Sequence, residues 1–115
     1  MKVGLMNKIQ RGDVFWVNFD PSLGSEIKKI RPALVVSNNI ANEKSSRVIV
    51  APITSTANKV YIFEALINLP NLRGKIMLDQ IKSFDKVRLK EKIVTLDLET
   101  MEKVNEALKI ALDLD

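Results

Sequence analysis

Apolar residues fall along this chain in short, β-branched runs divided by polar and turn-forming segments, and only the C-terminal stretch changes to a helical period. The turn Gln10-Arg11-Gly12-Asp13 leads into Val14-Phe15-Trp16-Val17-Asn18-Phe19, which predicts a first strand. Asp20-Pro21 closes it, and residues 22–29, which mix glycine, serine and charge without any period, predict a mobile loop. Pro32 biases Arg31 to extended backbone, so a strand at 33–36 follows. A polar segment at 37–46, with room for one short helical turn, separates this strand from another at 47–53. Residues 54–59 then predict a second loop.

Strand composition returns at 60–67, a turn holding Pro70 and Gly74 is expected at 68–74, and 76–81 resume as a strand. Asp79 and Gln80 interrupt that last run. If buried, they must be hydrogen-bonded. After a short strand at 93–96, Asp97 can cap a helix whose Met101, Val104, Leu108, Ala111 and Leu112 fall at helical spacing. Glu99 and Glu102 near its start and Lys109 near its end follow the macrodipole.

Several short strands closed by one helix predict a mainly β protein with a C-terminal α-helix, arranged as a small, twisted, barrel-like antiparallel sheet that the helix plugs or flanks. At 115 residues the whole chain, 1–115, reads as a single domain. Within it, Arg31 enters one apolar run and Thr54 leaves the next, so both stand at strand ends on a rigid support.

Composition narrows the chemistry. With no cysteine and no histidine, the chain lacks thiolates, disulfides, the two commonest transition-metal ligands and the usual neutral-pH general base. No metal or other cofactor is expected, and any catalysis must come from carboxylates, hydroxyls, Lys, Arg or Tyr. A formal charge of +4 and a pI near 9.4 favour an anionic partner, nucleic acid or an acidic protein. No apolar run approaches the roughly 18 residues of a membrane span, and residues 1–5 are too short for a signal peptide, so a soluble, cytoplasmic protein is expected, with Met6 an alternative start.

An ordered set of short motifs then resembles the MazF/PemK family of toxin endoribonucleases over nearly the whole length. It comprises Arg11-Gly12-Asp13-Val14-Phe15-Trp16-Val17, Gly24-Ser25-Glu26, Arg31-Pro32-Ala33-Leu34-Val35-Val36, Pro52-Ile53-Thr54-Ser55 and Leu78-Asp79-Gln80-Ile81-Lys82-Ser83-Phe84-Asp85-Lys86, followed by the helix. The resemblance implies an SH3-like barrel of the MazF/PemK/CcdB-like kind, a homodimer, metal-independent and sequence-specific cleavage of single-stranded messenger RNA at a short sequence, and restraint by an antitoxin. Charge adds the expectation that the antitoxin carries an acidic, disordered segment that folds on binding.

Without metal, RNA is cut when its own 2′-hydroxyl attacks the adjacent phosphorus, leaving a 2′,3′-cyclic phosphate and a 5′-hydroxyl. Arg31 suits stabilisation of the phosphate charge, Thr54 can donate to the phosphate or orient the 2′-hydroxyl, and Glu26 is the candidate base. Gly24, Ser25 and Ser55, in the matching motifs, are expected to bind substrate. Lys28, Lys29, Lys59 and Arg73 are candidate phosphate contacts, and Asp79 and Gln80 candidate base readers. PemK-type members are described with an arginine where this chain has Met77, so the MazF-style Arg31/Thr54 assignment is preferred. Ile27-Lys28-Lys29 stands where many relatives carry Gln-Gly-Gly, which makes the loop stiffer and more basic.

Each residue also has a plainer reading. Arg31 can be a surface charge beside a proline, Thr54 a strand end, Glu26 and the lysines solvated charge, and Asp79 and Gln80 structural hydrogen-bonders. Tyr61 and Phe63 have the chemistry to stack on bases, with core packing the better reading for Phe63. A non-catalytic SH3-like toxin or nucleic-acid-binding module, such as a gyrase inhibitor, is the alternative function, because fold alone does not fix activity.

Overall fold

The computed structural model describes residues 8–20 and 29–115. Among these, the strands are β1 (Asp13–Asn18), β2 (Ile30–Val35), β3 (Arg47–Thr54), β4 (Glu64–Leu69), β5 (Leu72–Met77), β6 (Lys82–Asp85) and β7 (Leu89–Thr95), with helices α1 (Asn39–Lys44) and α2 (Leu98–Ala111). The strands are neighbours in the order β4-β5-β3-β2-β1-β7, and β6 pairs with β3 off that path. All pairings are antiparallel. The result is a strongly curved half-barrel with a C-terminal helix.

β3 is the pivot of the sheet. Its first half, Arg47 to Val50, pairs with β6, while Val50 to Pro52 pair with β2 and Ile53–Thr54 with β5. Strand side chains alternate between faces, so one continuous strand feeds two cores. Val14, Leu34, Ala51, Ile53, Ile67, Ile76 and Leu78 pack with Met101, Val104 and Ala107 of α2. Phe15, Val17, Phe19, Ala33, Val35, Val48 and Val50 fill the other face, covered by Ile9, Phe84 and Leu89.

Polar ties fix the margins. Asp13 is almost fully buried, and its carboxylate accepts from the Gln10 N–H at 3.0 Å and the Thr95 hydroxyl at 2.8 Å while pairing with Lys92 at 3.2 Å, which pins β1 to β7. Arg11 donates to the Val36 carbonyl at 2.9 Å and the Asn105 side chain at 2.7 Å, tying α2 to the start of β1. Asp97 caps α2 as its sequence predicts, accepting from the Thr100 N–H at 2.8 Å.

The second half of the chain departs from the sequence reading. Residues 60–63 carry strand composition but form a turn, closed by bonds between Tyr61 and Glu64 in both directions, and β4 begins only at Glu64. Leu72, Arg73 and Gly74, expected in a turn, belong to β5 of a tight hairpin. The strand expected at 76–81 stops at Met77, and Leu78–Gln80 form a 3-10 turn in which Asp79 and Gln80 are exposed. Strand β6 carries the sequence Lys82-Ser83-Phe84-Asp85, with no apolar run to announce it, and β7 begins at Leu89, ahead of the expected 93–96 run, because it is an edge strand whose Lys90, Glu91 and Lys92 are exposed.

Candidate nucleic-acid interface

The sheet carries a cleft of about 320 Å3 lined by Trp16, Lys29, Ile30, Arg31, Pro32, Ile53, Ser55, Leu72 and Arg73. Four strands meet there. Trp16 of β1 faces Pro32 of β2 across the ladder, and Val17 faces Arg31. Trp16 shares its strand face with Val14, but where Val14 is sealed under the core, the indole is 40% exposed. Arg31 is half-buried near the start of β2, inside the strand by pairing though close to its end.

Thr54 is the last residue of β3, partly buried, and its hydroxyl accepts from the Thr56 N–H at 3.3 Å, which sets the direction of the chain leaving the strand. Ser55, exposed and next in sequence, lines the cleft. The structure therefore brings Arg31, Ser55 and Lys29 to one cavity with the Thr54 strand end beside it. Among the described residues its lining holds three cations and no carboxylate, the electrostatics of an anion-binding surface.

Lys29 enters this cleft from a left-handed backbone, with φ of 67°. That conformation costs a residue bearing a Cβ roughly 1–2 kcal/mol. Hydrogen bonds hold it there: the Lys29 N–H donates to Asp20 Oδ1 at 2.8 Å, and the Lys29 carbonyl accepts from the Phe19 N–H at 2.9 Å. Arg88 braces the same corner through the carbonyls of Asn18 and Asp20.

The other expected substrate contacts lie elsewhere. Lys59 sits over the Tyr61 ring, 4.8 Å from its centroid, and Tyr61 stacks on Phe63 with centroids 5.2 Å apart. Lys75 supports this group from below: its ammonium bonds the Lys59 carbonyl at 2.8 Å and pairs with Glu64 at 2.9 Å. Tyr61 thus presents a half-exposed ring on a braced cationic turn, and Phe63 is partly buried behind it. Asp79 and Gln80 lie on the exposed 3-10 turn, with the Gln80 amide 3.5 Å from Met77 Sδ, and neither lines the cleft. Gly24, Ser25, Glu26 and Lys28 lie outside the described residues.

Sequence reading overlooked Trp16 and Leu72 as parts of this site. Trp16 sits within a strand-forming run, and the alternation Val14, Trp16, Asn18 was the available signal that it shares one face with core residues but reaches past them.

A small, curved antiparallel sheet with a C-terminal helix and a cleft that joins three cations to an exposed indole defines a mainly β half-barrel with an anion-binding surface. The chain belongs to the PemK-like, MazF-like toxins of type II toxin–antitoxin systems, whose family pattern matches residues 10–112. It is 40% identical over 112 residues to endoribonuclease EndoA of Bacillus subtilis, covering 92% of this chain and 96% of that one. Among solved structures it is similar to MazF of Deinococcus radiodurans, with TM-score 0.82, 28% identity and coverage of 92% and 97% of the two chains. It also matches a mycobacterial endoribonuclease solved in complex with its cognate antitoxin, with TM-score 0.80, 26% identity and coverage of 93% and 97%.

Proposed function

We propose that this endoribonuclease toxin cuts single-stranded RNA by metal-independent attack of the 2′-hydroxyl on the adjacent phosphorus. The observation that carries the reading is the convergence of Arg31, Lys29 and Arg73 on one cleft that has an exposed indole and adjoins the Thr54–Ser55 strand end. The absence of histidine and cysteine from the chain supports chemistry that uses the RNA's own nucleophile.

In this mechanism the O2′–P bond forms as the P–O5′ bond breaks. The Glu26 carboxylate takes the 2′-proton, the 5′-oxygen leaves and is protonated from water, and the products are a 2′,3′-cyclic phosphate and a 5′-hydroxyl. Arg31 meets two phosphate oxygens at once and stabilises the charge that builds on them. As a permanent guanidinium cation it is an electrostatic stabiliser, not a base. The Thr54 hydroxyl donates to the phosphate. Gly24, Ser25, Lys28, Lys29 and Ser55 bind the strand near the cut, Lys59 with Tyr61 takes a more distant nucleotide, and Asp79 and Gln80 read bases on the flank.

The toxin acts as a homodimer, with RNA laid across both subunits, and its antitoxin covers the basic surface with an acidic segment that orders on binding. Mixed-sequence single-stranded RNA incubated with the protein in excess chelator should give fragments with cyclic 3′ ends and free 5′-hydroxyls. Arg31→Ala should give none. Intact RNA in chelator, with cleavage restored by divalent cations, would sink the metal-independent reading.

A further inference from the structure

Lys29 keeps a backbone conformation that glycine would adopt without strain, and it lines the cleft together with Arg31. Strained positions persist where the surrounding structure holds them, and here Asp20 and Phe19 do so through the Lys29 peptide itself. The bonds fix the Lys29 backbone without engaging its ammonium. Arg73 reaches the same cleft from β5, and its Nε–H donates to the Leu69 carbonyl at 3.4 Å, an exposed and long contact. The same cleft is lined by the half-exposed Trp16 and by Pro32, which face each other across β1 and β2.

We propose that Lys29, Arg73 and Trp16 form a nucleotide subsite next to the cut, separate in role from Arg31 and Thr54, in which Trp16 stacks one base and the two cations hold the flanking phosphate. The subsite sets affinity and the length of RNA engaged, and Lys29 carries a binding contact at the expense of backbone strain. This rests on the cleft being the RNA site.

The chemistry fits a single strand and no other nucleic-acid form. A half-exposed indole paired with proline across β1 and β2 offers a π-face to an unstacked base of any identity, while Lys29, just ahead of β2, and Arg73 of β5 suit a phosphate chain that bends around that base. A duplex would keep its bases stacked away from the indole. Arg31 lines the same cleft, and in this proposal the phosphate held by Lys29 and Arg73 is the neighbour of the one cut.

The test measures binding of a single-stranded RNA made uncleavable by 2′-O-methylation, with cleavage of the unmodified strand followed in parallel. Lys29→Gly should raise Tm by about 2–5 °C, because relief of the left-handed conformation exceeds the added freedom of the unfolded chain. It should also weaken binding about five-fold and lower the log–log salt slope by about 0.7, the value for one phosphate contact on a single strand. Lys29→Arg should restore binding and slope. Arg73→Ala should act like Lys29→Gly on binding, raising KM more than it lowers kcat, and Trp16→Ala should weaken binding about ten-fold with no change in salt slope.

Unchanged binding and slope in Lys29→Gly and Arg73→Ala would overturn the subsite, as would equal loss of affinity for duplex and single strand on removal of Trp16. If the wild type binds the methylated strand with these dependences but leaves the unmodified strand intact, the cleavage reading fails and the subsite stands. Cleavage that is insensitive to all three variants overturns the subsite and leaves the cleavage reading in place.

Discussion

Gly74 packs its Cα against the backbone of Thr54: a Cβ built there would lie 2.8 Å from the Thr54 carbonyl carbon and 3.0 Å from Ser55 Cα, and nearer still to the Thr54 carbonyl oxygen. With φ of 145°, Gly74 also occupies a region that L side chains rarely enter. Any side chain here therefore displaces Thr54, the residue proposed to donate to the phosphate. Gly74→Ala should cost about 2–4 kcal/mol of stability, seen as a lower midpoint in urea. In the fraction that folds, cleavage should fall at least about ten-fold, because a shift of the Thr54 backbone of the order of an ångström misaligns its hydroxyl. A Gly74→Ala variant as stable and active as the parent would show that the β3–β5 contact does not position Thr54.

Arg31 and Thr54 should separate by kinetics. Arg31→Ala is expected to lower kcat by about 10²–10³, the usual cost of removing a donor to a developing oxyanion, and Arg31→Lys to recover only part because an ammonium cannot engage two oxygens side by side. Thr54→Val keeps shape but loses the hydroxyl, and should lower kcat about ten-fold. Tm serves as the control for Thr54, since its hydroxyl also accepts the Thr56 N–H.

Lys75 and Glu64 form an ion pair at 2.9 Å whose side chains are 13% and 6% exposed. Removing one partner strands the other charge away from water. Lys75→Met should therefore destabilise by about 3 kcal/mol, and pairing it with Glu64→Leu should recover most of the loss. Because Lys75 also holds the Lys59 carbonyl and Glu64 the Tyr61 N–H, both single variants should loosen the turn at 59–63 and weaken RNA binding through Tyr61. Hydrogen exchange confined to that turn would report it.

Asp97 provides a pH-dependent contribution. The Thr100 backbone N–H, and then the Thr100 side chain, hold its carboxyl below the ordinary aspartate value, with Lys103 adding a smaller pull. A folded-state pKa below the unfolded one means that the cap stabilises the helix above the unfolded value and loses its effect as pH falls through the folded one. Wild type should exceed Asp97→Ala in Tm at neutral pH, the gap should begin to shrink near about pH 4, and the two should converge in stronger acid. A constant gap across that range would remove the charged cap as its source.

Much of the fold is legible in the chain because its signals are local. The Val-rich runs around Val14, Val35 and Val50, the extended bias that Pro32 places on Arg31, and the Asp97 cap all act within a few residues, and the structure has a strand or a helix at each place. Arg31 and Ser55 were readable as site candidates from the motifs that contain them, and Lys29 from charge. Residues 60–63 misled because β-branched and aromatic side chains there pack on a turn, where Tyr61 meets Phe63 and two lysines. Strand β6 was invisible because its pairing with β3, not its own apolar content, makes it a strand.

The sequence by itself determined the strand-rich class, the capped helix, the absence of histidine and cysteine chemistry, and the basic balance, since each depends on residue identity or on contacts between near neighbours. Tertiary structure decided which cations share a cleft. Trp16, Arg31 and Arg73 come from β1, β2 and β5, far apart in the chain, and meet only because β3 pairs with both β2 and β5 in one sheet and Gly74 lets β5 close on Thr54. Register and close backbone approach are set by packing across the whole sheet, so no local pattern of residues could specify that meeting.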